Sequence, residues 1–119
     1  MIRHGPVEPL PPITVGSVEQ AQPTVVTMAW DSVSDDLLAH LIRYVVVSRS
    51  EPGCRNIDLC SSVTVDGRVV IIEKWQTREA QRAHTAGPAL LELAAAAREL
   101  NASRPEMDLL AGISAHDLT

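Results

Sequence analysis

Between positions 51 and 84 the chain has little freedom in what it can become. Glu51-Pro52-Gly53-Cys54 stops any helix that runs into it, because proline has no amide to donate and glycine readily takes positive φ. Residues 55–63 and 68–75 are β-prone runs separated by Asp66-Gly67, and a tight turn between strands needs the positive φ that glycine supplies. Thr77 follows the second run and is placed to cap a helix, with Glu79 and Ala80 in its first turn. The stretch reads as helix end, strand, hairpin, strand, helix.

The flanks extend this pattern. Residues 25–31 predict a first strand, with Thr27, Ala29 and Asp31 on one face and Val26, Met28 and Trp30 on the other. The face carrying Asp31 is assigned to the helices. Asp31, Ser32 or Ser34 offers the N-cap of a helix over 35–50, where Leu38, Leu41, Ile42, Val45 and Val46 recur at helical spacing. The valine run at 45–47 is β-prone, but the stop and start signals on both sides decide for helix. Gly87 ends the helix that Thr77 begins, and Pro88 opens another at its first position. Along that helix Leu90, Leu93, Ala94, Ala97 and Leu100 form a stripe that Asn101 can close, and residues 107–115 supply a last strand. The order predicts the α+β class, a ferredoxin-like split βαβ sandwich. On the strand over 68–75, Val69, Ile71, Glu73 and Trp75 share one face, and Val70, Ile72 and Lys74 the other. Both faces are largely apolar, whereas an antiparallel sheet in a small domain ordinarily wets one. A second covering layer is expected, and a partner subunit's sheet would supply it.

A chain of 119 residues supports one domain. Five of its eight prolines fall within residues 1–24, which predicts an extended arm, either a disordered tail or an arm laid over a neighbouring subunit, ahead of a folded domain over 25–119. A net charge of −5 without any basic patch argues against nucleic acid as a partner. No apolar run is long enough to span a bilayer, and the proline-rich start has no apolar core of a secretory signal, so cytoplasmic residence is expected. Cys54 and Cys60 sit on one strand, roughly 20 Å apart at strand rise, and cannot pair with each other. Glycine-rich phosphate loops, HExxH, CxxC and histidine–carboxylate clusters at metal spacing are absent, so no cofactor and no metal are expected.

The segments Glu-Pro-Gly-Cys at 51–54, Glu73-x-Trp75, Thr77-x-Glu79-Ala80 and Ala83-His84 together resemble the antibiotic biosynthesis monooxygenase family over roughly residues 25–115. The resemblance implies a homodimer in which two ferredoxin-like units form a dimeric α+β barrel. It also implies a cofactor-independent monooxygenase acting on phenolic, quinol or polyketide-like molecules, a small apolar or aromatic substrate class. An electron-rich phenol or enol, once deprotonated, can itself pass an electron to dioxygen if the protein supplies a dry pocket and a base. Trp75 matches the family's tryptophan and is expected to orient the substrate through its N–H and ring, with His84 or Glu73 as base. Against these stand a core tryptophan, a half-exposed helix histidine and a salt bridge from Glu73 to Arg78 or Arg82. Asp31 is weighed as a helix cap or a substrate contact. Ile71 and Gln81 occupy positions where the quinone-forming branch carries Asn and Tyr, and are read as substrate-binding positions. The haem-degrading branch needs an axial histidine where residues 94–97 are alanine, so haem is not expected. The alternatives are a catalytically silent dimeric ligand-binding or scaffold protein of the same fold, and an isomerase independent of dioxygen.

Overall fold

The computed structural model describes residues 22–115. Strand β1 is Thr24–Trp30, helix α1 Asp35–Ser48, strands β2 Cys54–Ser61 and β3 Val69–Trp75, helices α2 Arg78–Thr85 and α3 Pro88–Glu99, and strand β4 Glu106–Ala111. The strands pair antiparallel in the order β2-β3-β1-β4, and the helices cover one face, giving the α+β ferredoxin-like fold. The proline-rich arm, apart from residues 22–24, lies outside the described residues. Among the described residues no helix is long and apolar enough to cross a membrane.

Strand register sets what lies beneath the helices. On β1 it is Val26, Met28 and Trp30 that are buried, so the helix-covered face is the opposite of the one assigned from sequence. The larger apolar side chains win the covered side, since each contributes roughly 1.5–3 kcal/mol when fully buried. Asp31 is left exposed, in an ion pair with Arg68 at 2.6 Å. Ser34, rather than Asp31 or Ser32, caps α1 by accepting from the Leu37 N–H. The buried stripe of α1 is Leu37, Leu41, Tyr44, Val45 and Ser48, while Ile42 and Val46 face outward. Apolar residues cover more than half of this helix, so spacing alone leaves its inward face undetermined.

The connection from β2 to β3 is longer than a two-residue hairpin. Ser62 N–H donates to the Arg68 carbonyl, and Gly67, at φ +78°, sits in a turn closed by Arg68 N–H donating to Val65 O. The Ser62 hydroxyl holds the loop by accepting from the Thr64 and Val65 amides. Thr77 and Pro88 start α2 and α3 as expected. The buried row of α3 is Ala89, Leu93 and Ala97, which pack towards α1, and Ala94 and Leu100 are exposed. Edge strand β4 is shorter than expected, and every residue on it keeps substantial exposure. The face of the sheet away from the helices stays uncovered, with Ile72 and Leu110 each 42% exposed.

Candidate functional site

Five side chains from four separate stretches meet beneath α1 and α2. The buried stripe of α1 turns Tyr44 to the sheet, and strand alternation sends Glu73 and Trp75 to meet it. Thr77 accepts from the Ala80 N–H at 3.0 Å and so starts α2 in the phase that points His84 inward. Gly53 seats this helix. Its φ is +79°, and a β-carbon there would stand 2.4 Å from the Ala80 β-carbon, so only glycine lets the loop after α1 come so close to α2. That approach brings Glu51 up beside His84.

The hydrogen bonds form one chain. Tyr44 OH donates to Glu73 Oε2 at 2.5 Å, and the Trp75 indole N–H donates to Glu73 Oε1 at 2.9 Å. His84 Nε2 lies 2.6 Å from the Tyr44 oxygen, and His84 Nδ1 lies 3.0 Å from both oxygens of Glu51. The Trp75 ring stacks on the imidazole, with centroids 4.5 Å apart and an interplanar angle of 29°. Counting donors leaves two proton patterns. With the phenol proton directed to Glu73, the Tyr44 oxygen accepts from Nε2, while Nδ1 faces a carboxylate and donates as well. In this pattern His84 is an imidazolium between two carboxylates, Glu51 on one side and Glu73, 3.7 Å away, on the other. Shifting two protons by one bond each gives the second pattern, with Glu73 protonated and His84 neutral. The hydrogen bonds thus run without a break from Glu73 to Glu51.

Burial isolates it. Trp75 is 0% exposed, Glu73 1%, and Tyr44 and His84 3%, while the Glu51 side chain is 24% exposed and opens to solvent. Burial first, and then the charge of Glu73, hold the Tyr44 phenol far above its ordinary range. Tyr44 thus remains protonated. Burial followed by the charges of Glu73 and Glu51 pushes the Cys54 thiol up as well, away from nucleophilic use. Among the described residues no group of His, Cys, Asp and Glu could hold a metal ion.

Of the residues expected from sequence, the fold brings Trp75, His84 and Glu73 together and leaves three apart. His84 is buried, not half-exposed, and Glu73 pairs with Tyr44 and Trp75, not with Arg78 or Arg82. The Trp75 N–H, expected to face a substrate oxygen, is donated to Glu73. Asp31 is on the surface, where its hydrogen bond to Arg68 holds the carboxyl below the usual carboxylate range. Ile71 lies in the apolar core, and Gln81 bonds to Thr85 on its own helix. Tyr44 and Glu51 were missed. A sole tyrosine within an apolar helical stripe was the available signal, because a buried phenol requires a partner.

One space borders the cluster at Tyr44, and a larger one lies beyond it. A cavity of about 160 Å³ between α1 and α3 has Tyr44, Val47, Ala89 and Leu93 in its wall. A groove of about 780 Å³ runs between α3 and the β1–β4 side of the sheet, walled by Met28, Leu90, Leu93, Ala97 and Met107. Leu93 belongs to both.

Residues 31–96 match the family model for antibiotic biosynthesis monooxygenase. Among solved structures, Rv0793 from Mycobacterium tuberculosis is 28% identical with a TM-score of 0.71, over 80% of this chain and 99% of its own. PA3566 from Pseudomonas aeruginosa is 21% identical with a TM-score of 0.66, over 76% of this chain and 94% of its own. SnoaB from Streptomyces nogalater, a cofactor-independent oxygenase, is 23% identical with a TM-score of 0.64, over 76% and 91%. The likenesses to PA3566 and SnoaB concern the fold. No curated protein matches the sequence. The family match spans more than half of the chain, and the sheet order and helix placement agree with these neighbours: the chain belongs to the antibiotic biosynthesis monooxygenase family.

Proposed function

We propose that this chain is a cofactor-independent monooxygenase acting on phenolic, quinol or polyketide-like small molecules. The observation that carries the reading is the buried Glu73–Tyr44–His84–Glu51 chain, a ready acceptor for one substrate proton within a family of monooxygenases. In this reading the apolar body of the substrate lies in the groove and its reacting edge in the smaller cavity walled by Tyr44, the two spaces sharing Leu93 as a wall.

The remaining lone pair of the Tyr44 oxygen accepts the substrate O–H. As that proton arrives, the phenol proton moves on to Glu73, leaving an enolate or phenolate near the His84 imidazolium. The anion passes one electron to dioxygen, and the resulting radical pair combines into a carbon-bound peroxide anion. Glu73 returns its proton through Tyr44, and the hydroperoxide loses water. A ring CH2 and O2 thus become C=O and one water, with the substrate as the sole reductant. Trp75 positions Glu73 and His84 by hydrogen bond and stacking. A second copy of the chain covers the apolar back of the sheet around Ile72 and Leu110, which completes a dimeric barrel.

Oxygen uptake by the purified protein with anthrone- and hydroquinol-type compounds, without added flavin or metal, tests the reading. Uptake above the spontaneous rate is expected, falling roughly 100-fold or more in Tyr44→Phe and His84→Ala. Uptake at background, or full activity in both variants, removes it. One observation favours a silent ligand-binding protein instead, namely that Trp75, Glu73, Tyr44 and His84 are all closed off from solvent. Ligand binding without any oxygen uptake would select that reading.

A further inference from the structure

The groove under α3 carries polar groups that the proton chain does not use. On its β1 wall stands Trp30, 3% exposed, whose indole N–H is buried without a hydrogen-bond partner. Leaving such a donor unmade costs about 1–3 kcal/mol, which a ligand oxygen can recover. At the end of α3 and in the segment that follows, Arg98 and Arg104 border the same groove, with the Ser103 side chain between them in sequence. Neither arginine side chain makes a hydrogen bond or ion pair among the described residues. Among the described residues no aspartate or glutamate lines the groove, although the chain as a whole carries a net charge of −5. An apolar slot of about 780 Å³, with two guanidinium groups that have no partner among the described residues and an orphaned indole donor buried in its wall, is shaped for an amphiphile. Its apolar body meets Met28, Leu90, Ala97 and Met107, and its anionic end meets the arginines, whose planar forks match a carboxylate.

We infer that the groove selects aromatic molecules bearing a carboxylate, with Arg98 and Arg104 holding the carboxylate and the Trp30 N–H taking a ring oxygen. This rests on the reading of the groove as the substrate site, and it narrows the substrate class to acidic aromatics. Arg98 and Arg104 are specificity-determining residues in this assignment, and Trp30 is a binding residue.

Calorimetric titration under argon isolates binding from turnover. The probes are 1-hydroxy-2-naphthoate and 1-naphthol, which share a ring system and a hydroxyl and differ in the carboxylate. The acid is expected to bind at least tenfold tighter than the neutral probe. In the double variant R98Q/R104Q, whose side chains are exposed and whose fold is checked by circular dichroism, the two probes converge. Trp30→Phe weakens both probes, and the Trp30 indole 15N–1H resonance moves when the acid is added to the unsubstituted protein. Equal affinities in the unsubstituted protein, a charge preference that survives R98Q/R104Q, an unmoved Trp30 resonance or no binding of either probe overturns the inference. A failure here leaves the oxygen-uptake result standing, and a failure of oxygen uptake leaves the binding preference standing.

Discussion

The two sides of the space beneath the helices are filled on opposite principles. Over β3, α1 and α2 close on a cluster in which each polar atom of Glu73, Tyr44, His84 and the Trp75 indole has a partner. Over β1 and β4, α3 presents only the small side chains of Ala94 and Ala97 beside Leu90 and Leu93, which leaves a groove walled in part by Trp30 with its unpartnered indole N–H. Low dielectric explains the contrast. A buried polar network is stable only when complete, so it closes tightly, whereas small side chains leave volume that a ligand can occupy. For the monooxygenase proposed above, rigidity on one side and room on the other would hold the proton path still while admitting the apolar body of a substrate.

The sharpest way to break that contrast is to remove one member of the closed side. Glu73→Leu leaves the buried Tyr44 hydroxyl and Trp75 N–H without their acceptor, and a loss of roughly 2–6 kcal/mol is expected in urea unfolding. A loss below about 1 kcal/mol would show that the cluster is looser than its geometry. Gly53→Ala should cost roughly 1–3 kcal/mol, since it combines positive φ with a β-carbon driven against Ala80. It should also weaken the Glu51–His84 contact, readable as a changed imidazole resonance. Alkaline titration probes the same side through the chain's sole tyrosine. The folded phenol titrates above its ordinary value of about 10, so its contribution to stability is complete below that pH and declines as pH rises further. Phenolate absorbance is therefore expected to appear together with the loss of helical circular dichroism. Appearance in the folded protein near pH 10 would contradict a buried Tyr44. The smallest effect belongs to the open side, where Ala94→Leu has space in the groove. Its stability should change by no more than about 0.5 kcal/mol while ligand affinity falls, which a thermal melt and a titration would separate.

Much of the fold was readable from local chemistry. Thr77 and Pro88 announced α2 and α3, and Gly53 and Gly67 marked the places where the backbone takes positive φ. The same reading put Asp31 beneath the helices and Ile42 and Val46 in the core, and both assignments failed for one reason. Where both faces of an element are apolar, periodicity states the period but not the phase. The site shows the same division. Trp75, Glu73 and His84 stood out by motif, whereas Tyr44 and Glu51 acquire their meaning from partners 40 and 33 positions away.

By itself, the order of residues determined the succession of helices and strands, their starts and stops, and membership of an α+β family, because caps, turns and period act over four or five positions. Tertiary structure alone decided which face of β1 and α1 is covered, that the Trp75 N–H belongs to Glu73, and that a groove opens beside Trp30. Those outcomes depend on which distant surfaces meet and how completely their side chains fill the space between them, and neither is written in any short stretch of the chain.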